Sequence, residues 1–224
     1  MNIDWQSFKE HWTKPKGKQF PTGSIVMKGY QGSGKTLTLT KYAYDIKKEF
    51  PKCKIYSNVI LCDIDYIYIS NDLVLQQALT DQNGANGILI LLDEAHLYFN
   101  KKDGIPLDVL TCISQQRKDR RRLAFTSQIW EELDVSLRKQ VKEVVNCKKI
   151  LGCIQINTIY DGESITYDKL KGEWTANKLR TEIFKHNDKL YSRYDTRQKV
   201  LRNTNYARSI VPSMNVVNFT TPKK

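Results

Sequence analysis

An α/β fold in three layers, with helices on both faces of a mostly parallel sheet and an antiparallel hairpin at its edge, is predicted by three features of the chain. From residue 24 to residue 145, short apolar runs alternate with amphipathic stretches of helical length, as when helices connect the strands of a parallel sheet. One run, Ile88-Leu89-Ile90-Leu91-Leu92, is apolar throughout, as befits a central strand buried on both faces. Beyond about residue 148 the alternation gives way to strand-like segments around Asp161-Gly162, which reads as a closing hairpin.

The elements follow in order. Residues 1–20 read as an N-terminal arm, because Trp5, Phe8 and Trp12 share helical spacing before Lys14-Pro15-Lys16-Gly17-Lys18 breaks it. These aromatics would dock on the core or on a neighbouring subunit. Residues 24–28 form a strand, 29–34 a glycine-rich loop, and 35–50 a helix with Leu37, Leu39, Tyr42 and Ile46 available for burial. Residues 54–61 read as a second strand, 71–80 as a helix capped by Asn71, 81–87 as a turn-rich linker and 87–92 as the central strand. Residues 105–116 read as a helix, 123–127 as a strand and 134–145 as another helix. The hairpin is placed over 150–158 and 164–168. The main domain then spans 21–202, and 203–224, with Pro212 and Pro222-Lys223-Lys224, form a tail.

A chain of 224 residues accommodates one sizeable α/β domain. Its 40% hydrophobic and 27% charged content exclude wholesale disorder. No apolar run approaches the roughly 18 residues a membrane span needs, and residues 1–12 carry acids and aromatics instead of a secretory leader. A cytoplasmic location is therefore expected. Cys53, Cys62, Cys112, Cys147 and Cys153 are scattered without CxxC spacing, and only His11, His96 and His186 accompany them. This argues for reduced structural thiols and against a zinc site. The net charge of +12 favours a polyanionic partner, either nucleic acid or an acidic surface.

The strongest local signal is Gly29-Tyr30-Gln31-Gly32-Ser33-Gly34-Lys35-Thr36, which fits GxxxxGK[ST] between a strand and a helix. Glycines let successive backbone N–H groups curl around a phosphate at a helix N-terminus. A lysine at this position reaches the β- and γ-phosphates, and the following hydroxyl coordinates magnesium. ATP and Mg²⁺ are thus the expected ligands, with Gly29, Gln31, Gly32, Ser33, Gly34, Lys35 and Thr36 as contacts.

The apolar run 88–92 ends in Asp93-Glu94. Acids at the C-terminal end of a buried strand face the ligand crevice of an open α/β sheet. Asp93 is expected to hold Mg²⁺ together with Thr36, and Glu94 to orient and deprotonate the attacking water. Asp93-Glu94-Ala95-His96 also spells a helicase DEAH box, but the chain has neither the length nor the arginine-rich motif of a second helicase domain; His96 is assigned to support or packing.

A third strand ends in Thr126-Ser127-Gln128, where a polar residue can sense the γ-phosphate; Gln128 is the first candidate and Ser127 the second. Charge developing on the transferred phosphoryl group calls for a cation, often an arginine from a neighbouring subunit. Arg117, Arg120, Arg121, Arg122 and Arg138 are candidates, and Arg117 and Arg138 are expected near helices flanking the catalytic strand ends. The cluster 117–122 reads equally as a DNA-phosphate contact or a solvated face.

Taken together, the phosphate loop, Tyr56-Ser57-Asn58-Val59, Leu92-Asp93-Glu94-Ala95, Ser114-Gln115-Gln116-Arg117-Lys118, Thr126-Ser127-Gln128, Leu137-Arg138 and Tyr194-Asp195-Thr196 resemble the HerA/FtsK branch of P-loop ATPases, and within it the zonula occludens toxin-like (Zot-like) ATPases of phages. The resemblance implies a RecA/FtsK-like P-loop NTPase fold, a homo-oligomeric ring, commonly a hexamer, and ATP hydrolysis coupled to moving double-stranded DNA. By the family pattern Lys35, Thr36, Asp93, Glu94 and Gln128 keep their nucleotide roles. Genome packaging is the first expectation, with a capsid vertex as docking point and a place in the host cytoplasm, the virion or the procapsid. The alternative is an assembly or export role at a membrane assembly protein; membrane-bound relatives carry a transmembrane helix after the ATPase domain, and this sequence has no such segment.

Overall fold

The computed structural model of the chain describes residues 19–168 and 173–195. All but the last two residues of the expected arm, and the whole expected tail, lie outside the described residues.

The chain runs through β1 (Gly23–Lys28), α1 (Lys35–Glu49), β2 (Lys54–Ser57), β3 (Ile67–Tyr68), α2 (Asp72–Thr80), β4 (Ile88–Leu92), α3 (Leu107–Ser114), β5 (Arg121–Ser127) and α4 (Val135–Lys139). It continues through β6 (Val141–Ile150), β7 (Ile154–Asp161), β8 (Thr166–Asp168), β9 (Glu173–Thr175), β10 (Lys178–Lys185) and α5 (Asp188–Tyr191). The main sheet has the order β10-β7-β6-β1-β5-β4-β2-β3. Its strands from β6 to β3 are parallel, while β6–β7 and β7–β10 pair antiparallel, which gives the expected edge.

Strand alternation creates the layers. Ile25 and Met27 of β1, with Leu89 and Leu91 of β4, pack against Leu39, Ala43 and Ile46 of α1. On the other face Val26, Ile88, Ile90 and Leu92 meet Leu75, Ala78 and Leu79 of α2 and Ile113 of α3. β4 is buried at every position, as its unbroken apolar run requires. α2 starts where Asn71 caps it, its side chain accepting from Val74 N at 3.0 Å.

Three expectations need correction. Residues 134–145 are not one helix: α4 ends at Lys139, and Val141 begins a ten-residue strand. Val141, Val144 and Val145 carry the i, i+3, i+4 spacing of a helix because β6 contains a bulge. Ser24 pairs with Val141 but Ile25 pairs with Glu143, so Lys142 is extra and the inward face changes parity. β-Branched residues also favour the pleated surface. The hairpin lies earlier than 150–168. β6 and β7 join through residues 151–153, with Leu151 at φ 50° and Gly152 at φ 69°. Gly162–Ser164 is instead a short 3-10 turn, beyond which β8 pairs with β9 in a separate small sheet. Finally, the second strand stops at Ser57, whose hydroxyl accepts from Val59 N at 2.9 Å and closes a turn.

Two of the clustered arginines are structural. Arg121 is fully buried and donates to Asp119 Oδ2 at 3.1 Å and to Asp81 O at 2.8 Å. Arg122, 2% exposed, donates to Tyr42 Oη, Thr22 O and Glu143 Oε1, the last at 2.7 Å. Burial works to raise Glu143, but Arg122 and then Arg180 outweigh it and hold its carboxyl below the ordinary range. A depressed folded-state pKa contributes stability above the unfolded value, and that stability is lost as pH falls through the folded one. Glu143→Gln is expected to cost about 3 kcal/mol at neutral pH. Urea unfolding at neutral and acid pH checks this: the gap between wild type and variant narrows in acid.

Candidate nucleotide-binding site

The parallel strands all deliver their C-terminal ends to one edge of the sheet, and the predicted nucleotide residues gather there. The loop 29–34 leaves β1 and runs into α1. Gly29 (φ 151°), Gly32 (φ 75°) and Gly34 (φ 86°) take backbone angles that side chains disfavour. A Cβ at Gly29 would also come within 2.7 Å of Cys147 O. Lys35 is 6% exposed, and its Nζ donates to Gly29 O at 3.0 Å and Tyr30 O at 3.1 Å, which keeps the ammonium inside the loop's curl. Ser33 Oγ is buried with no hydrogen-bond partner. Gln31 and Gly32 are exposed at the loop tip.

β5 lies between β1 and β4, so Asp93 meets the loop across an intervening strand. Thr36 Oγ1 lies 3.1 Å from both carboxylate oxygens of Asp93. Thr126, at the end of the intervening strand, donates to Asp93 Oδ1 at 2.7 Å and accepts from Glu94 N at 2.8 Å. Asn58, just past β2, holds the Asp93 backbone from the other side: its Oδ1 accepts from Asp93 N at 2.7 Å and its Nδ2 donates to Asp93 O at 2.9 Å. Burial raises the Asp93 carboxyl above its ordinary value against the Thr126 hydrogen bond, and the neighbouring Glu94 adds to the rise.

Glu94 sits in the left-handed region at φ 53°, a conformation that costs about 1–2 kcal/mol and persists only where contacts enforce it. Here the Thr126 bond enforces it. The turned side chain receives Gln128 Nε2 on Oε1 at 2.8 Å. Its Oε2 is buried with no hydrogen bond, although His96 Nδ1 lies 3.3 Å away. Ser127, the second candidate, turns inward and donates to Ile129 O at 2.9 Å, so Gln128 is the residue that meets Glu94.

Thr36 and Asp93 offer hydroxyl and carboxylate oxygens side by side, hard donors of the kind magnesium takes. The orphaned oxygens of Ser33 and Glu94 bracket that pair in the chain and lack partners that a phosphate or a water would provide.

The arginines are not brought to this edge. Arg117 is exposed between α3 and β5, beside the N-terminal end of the sheet. Arg138 falls three residues before Val141, which pairs with Ser24 at the start of β1. Both therefore stand near the opposite edge, about 20 Å from the loop by the rise of a seven-residue strand. The expectation that they flank the catalytic strand ends fails because α3 and α4 each run back along the sheet, and their last turns finish where the next strand begins. Motif spacing alone assigns no role to Thr126 or Asn58. Their signal was visible as polar residues at the ends of two strands parallel to the one carrying Asp93.

A mostly parallel sheet with a glycine-rich loop between its first strand and helix, and an acid-ended strand two places away, defines the P-loop NTPase fold. No protein-family model and no curated protein matches the chain. Among solved structures it is similar to the N-terminal domain of zonular occludens toxin from Neisseria meningitidis, with a TM-score of 0.57 and 17% identity over 77% of this chain and 98% of that one. It is also similar to the genome packaging NTPase B204 from Sulfolobus turreted icosahedral virus 2. The B204 complex with sulfate gives a TM-score of 0.52 and 13% identity over 70% of this chain and 96% of that one. The complex with AMPPCP gives 0.51 and 14% over 70% and 97%. At such identities the likeness is one of fold.

Proposed function

We propose that this chain is an ATP-hydrolysing motor of the HerA/FtsK type that acts on double-stranded DNA, in virus or phage genome packaging. The observation that carries the reading is the bonded series Thr36–Asp93–Thr126–Glu94–Gln128, which joins the phosphate loop to two acids and a polar sensor across three strand ends. The loop amides and Lys35 take the phosphates of ATP, while Thr36 and Asp93 hold magnesium. The metal, when bound, neutralises charge on the β- and γ-phosphates. Glu94, aimed by its backbone bond to Thr126, accepts the proton of a water as that oxygen bonds to the γ-phosphorus and ADP leaves. Gln128 fixes the Glu94 carboxylate and the place of the water. The packaging role of B204 and the nucleotide analogue bound to it favour this reading.

Positive charge supports a DNA partner. The chain carries +12, and Arg117, Lys118, Arg120, Lys148 and Lys149 are exposed. Arg117 and Arg138, remote from this chain's own loop, would serve as a transition-state cation only in a neighbour's site; the proposed working form is accordingly a ring, a hexamer by resemblance. No helix among the described residues is long and apolar enough to cross a membrane.

ATP turnover with and without duplex DNA at low salt, alongside the mass of the ATP-bound assembly, tests the motor. Stimulation by DNA in a multimeric species is expected. Unchanged turnover in an oligomeric preparation contradicts DNA translocation. Stimulation by liposomes or a membrane assembly protein alone transfers the reading to virion assembly and export.

A further inference from the structure

The phosphate loop rests on the antiparallel edge as well as on its own helix. On β7 the side chains facing α1 alternate as Gln155, Asn157 and Ile159, exposed by 0%, 1% and 2%. A buried amide is costly unless hydrogen-bonded, and both amides are. Gln155 Nε2 donates to Ser33 O and to Asn157 Oδ1, each at 2.9 Å. Asn157 Nδ2 in turn donates to Thr38 Oγ1, in the first turn of α1, at 3.2 Å. The two acceptors beside one end of Gln155 identify that end as the nitrogen.

The other end of the amide is held from β10. His186 follows that strand, is 7% exposed, and places Nε2 at 3.0 Å from Gln155 Oε1. An oxygen accepts, so Nε2 carries the hydrogen. Nδ1 then accepts from Tyr191 Oη at 2.7 Å. The His186 backbone N–H is anchored to Cys153 O at 2.7 Å. Along the bonded path Tyr191 Oη–His186 ring–Gln155 amide–Ser33 O, each atom therefore has one consistent donor or acceptor role. The Gln155 amide also lies so close to Gly34 that a Cβ there would collide with it. The glycine thus allows the left-handed turn and the approach of the brace.

We propose that Gln155, oriented by His186 and Tyr191, is a positioning residue of the phosphate loop: it ties the Ser33 carbonyl back against the sheet edge, so that the amides of the loop and of the first turn of α1 face the phosphates. The inference rests on the nucleotide reading given above and extends it. Nucleotide affinity is set in part by two strands that lie outside the phosphate-binding motif.

Calorimetry with Mg-AMPPCP on the full chain, paired with thermal unfolding without nucleotide, tests this. Gln155→Leu removes the loop bond, and His186→Leu removes the group that aims it; each is expected to weaken binding about tenfold, the effect of losing one well-placed buried hydrogen bond. His186→Gln retains a donor for Gln155 and an acceptor for Tyr191, and is expected to bind within about twofold of wild type. Should Gln155→Leu not fold, the two His186 variants decide between them. If both leucine variants melt earlier yet bind as tightly as wild type, the edge is mere packing and the positioning role is overturned. If wild type itself does not bind, the nucleotide reading fails and this inference with it.

Discussion

Lys35→Ala is expected to weaken Mg-AMPPCP binding about a hundredfold, the scale of a lost charge-assisted contact in a shielded site. The side chain is almost fully buried, and its ammonium is held in the curl of the loop by the carbonyls of Gly29 and Tyr30. Nothing else in the loop carries positive charge. The backbone amides would remain, but as partial charges without the cation that the β- and γ-phosphates require. Equilibrium binding checks the affinity, and circular dichroism confirms that the variant remains folded. Wild-type affinity in a folded variant would remove Lys35 from the site.

Glu94→Gln should separate binding from chemistry. The amide retains an oxygen to accept from Gln128, and the backbone bond to Thr126 that aims residue 94 is untouched. What disappears is the base. Turnover is expected to fall between about a hundredfold and ten-thousandfold, the range of general-base contributions, with nucleotide affinity little changed. Phosphate release at saturating ATP measures the first and calorimetry the second. Near-normal turnover would mean that another group activates the water.

How much of this site could be read from the sequence depended on how local its chemistry is. The phosphate loop demands contiguous residues, so Gly29 to Thr36 announced themselves, as did Asp93-Glu94 at the end of an unbroken apolar run. The strand ending at Gln128 was legible for the same reason, and its placement between β1 and β4 brings Gln128 to Glu94. Three features were not legible because they arise from pairing between distant segments. The bulge at Lys142 gave Val141, Val144 and Val145 a helical spacing within a strand. The arginine cluster looked free in sequence, yet Arg121 and Arg122 are consumed by Asp119, Asp81, Tyr42 and Glu143. Gln155 and His186 are ordinary polar residues until the edge strands fold them against Ser33.

The same contrast explains the division of labour at the site. Local sequence builds the cradle, through glycines whose backbone angles let amides converge. Long-range pairing aims it: Thr126 sets Glu94, Asn58 holds Asp93, and Gln155 backs the loop. A hydrogen bond between strands that are already fixed by a buried sheet loses little further freedom on forming, so each contact can hold a reactive group within a narrow range of positions.

The central claim is that the curl of amides around Lys35 and the Thr36–Asp93 pair together take a magnesium–nucleotide complex. Isothermal titration of the folded chain with AMPPCP, run with magnesium and again with a chelator, tests it most directly. Saturable heat at one nucleotide per chain, with weaker binding once the metal is removed, is the predicted result; absence of any heat from well-folded protein at high nucleotide and magnesium would contradict it.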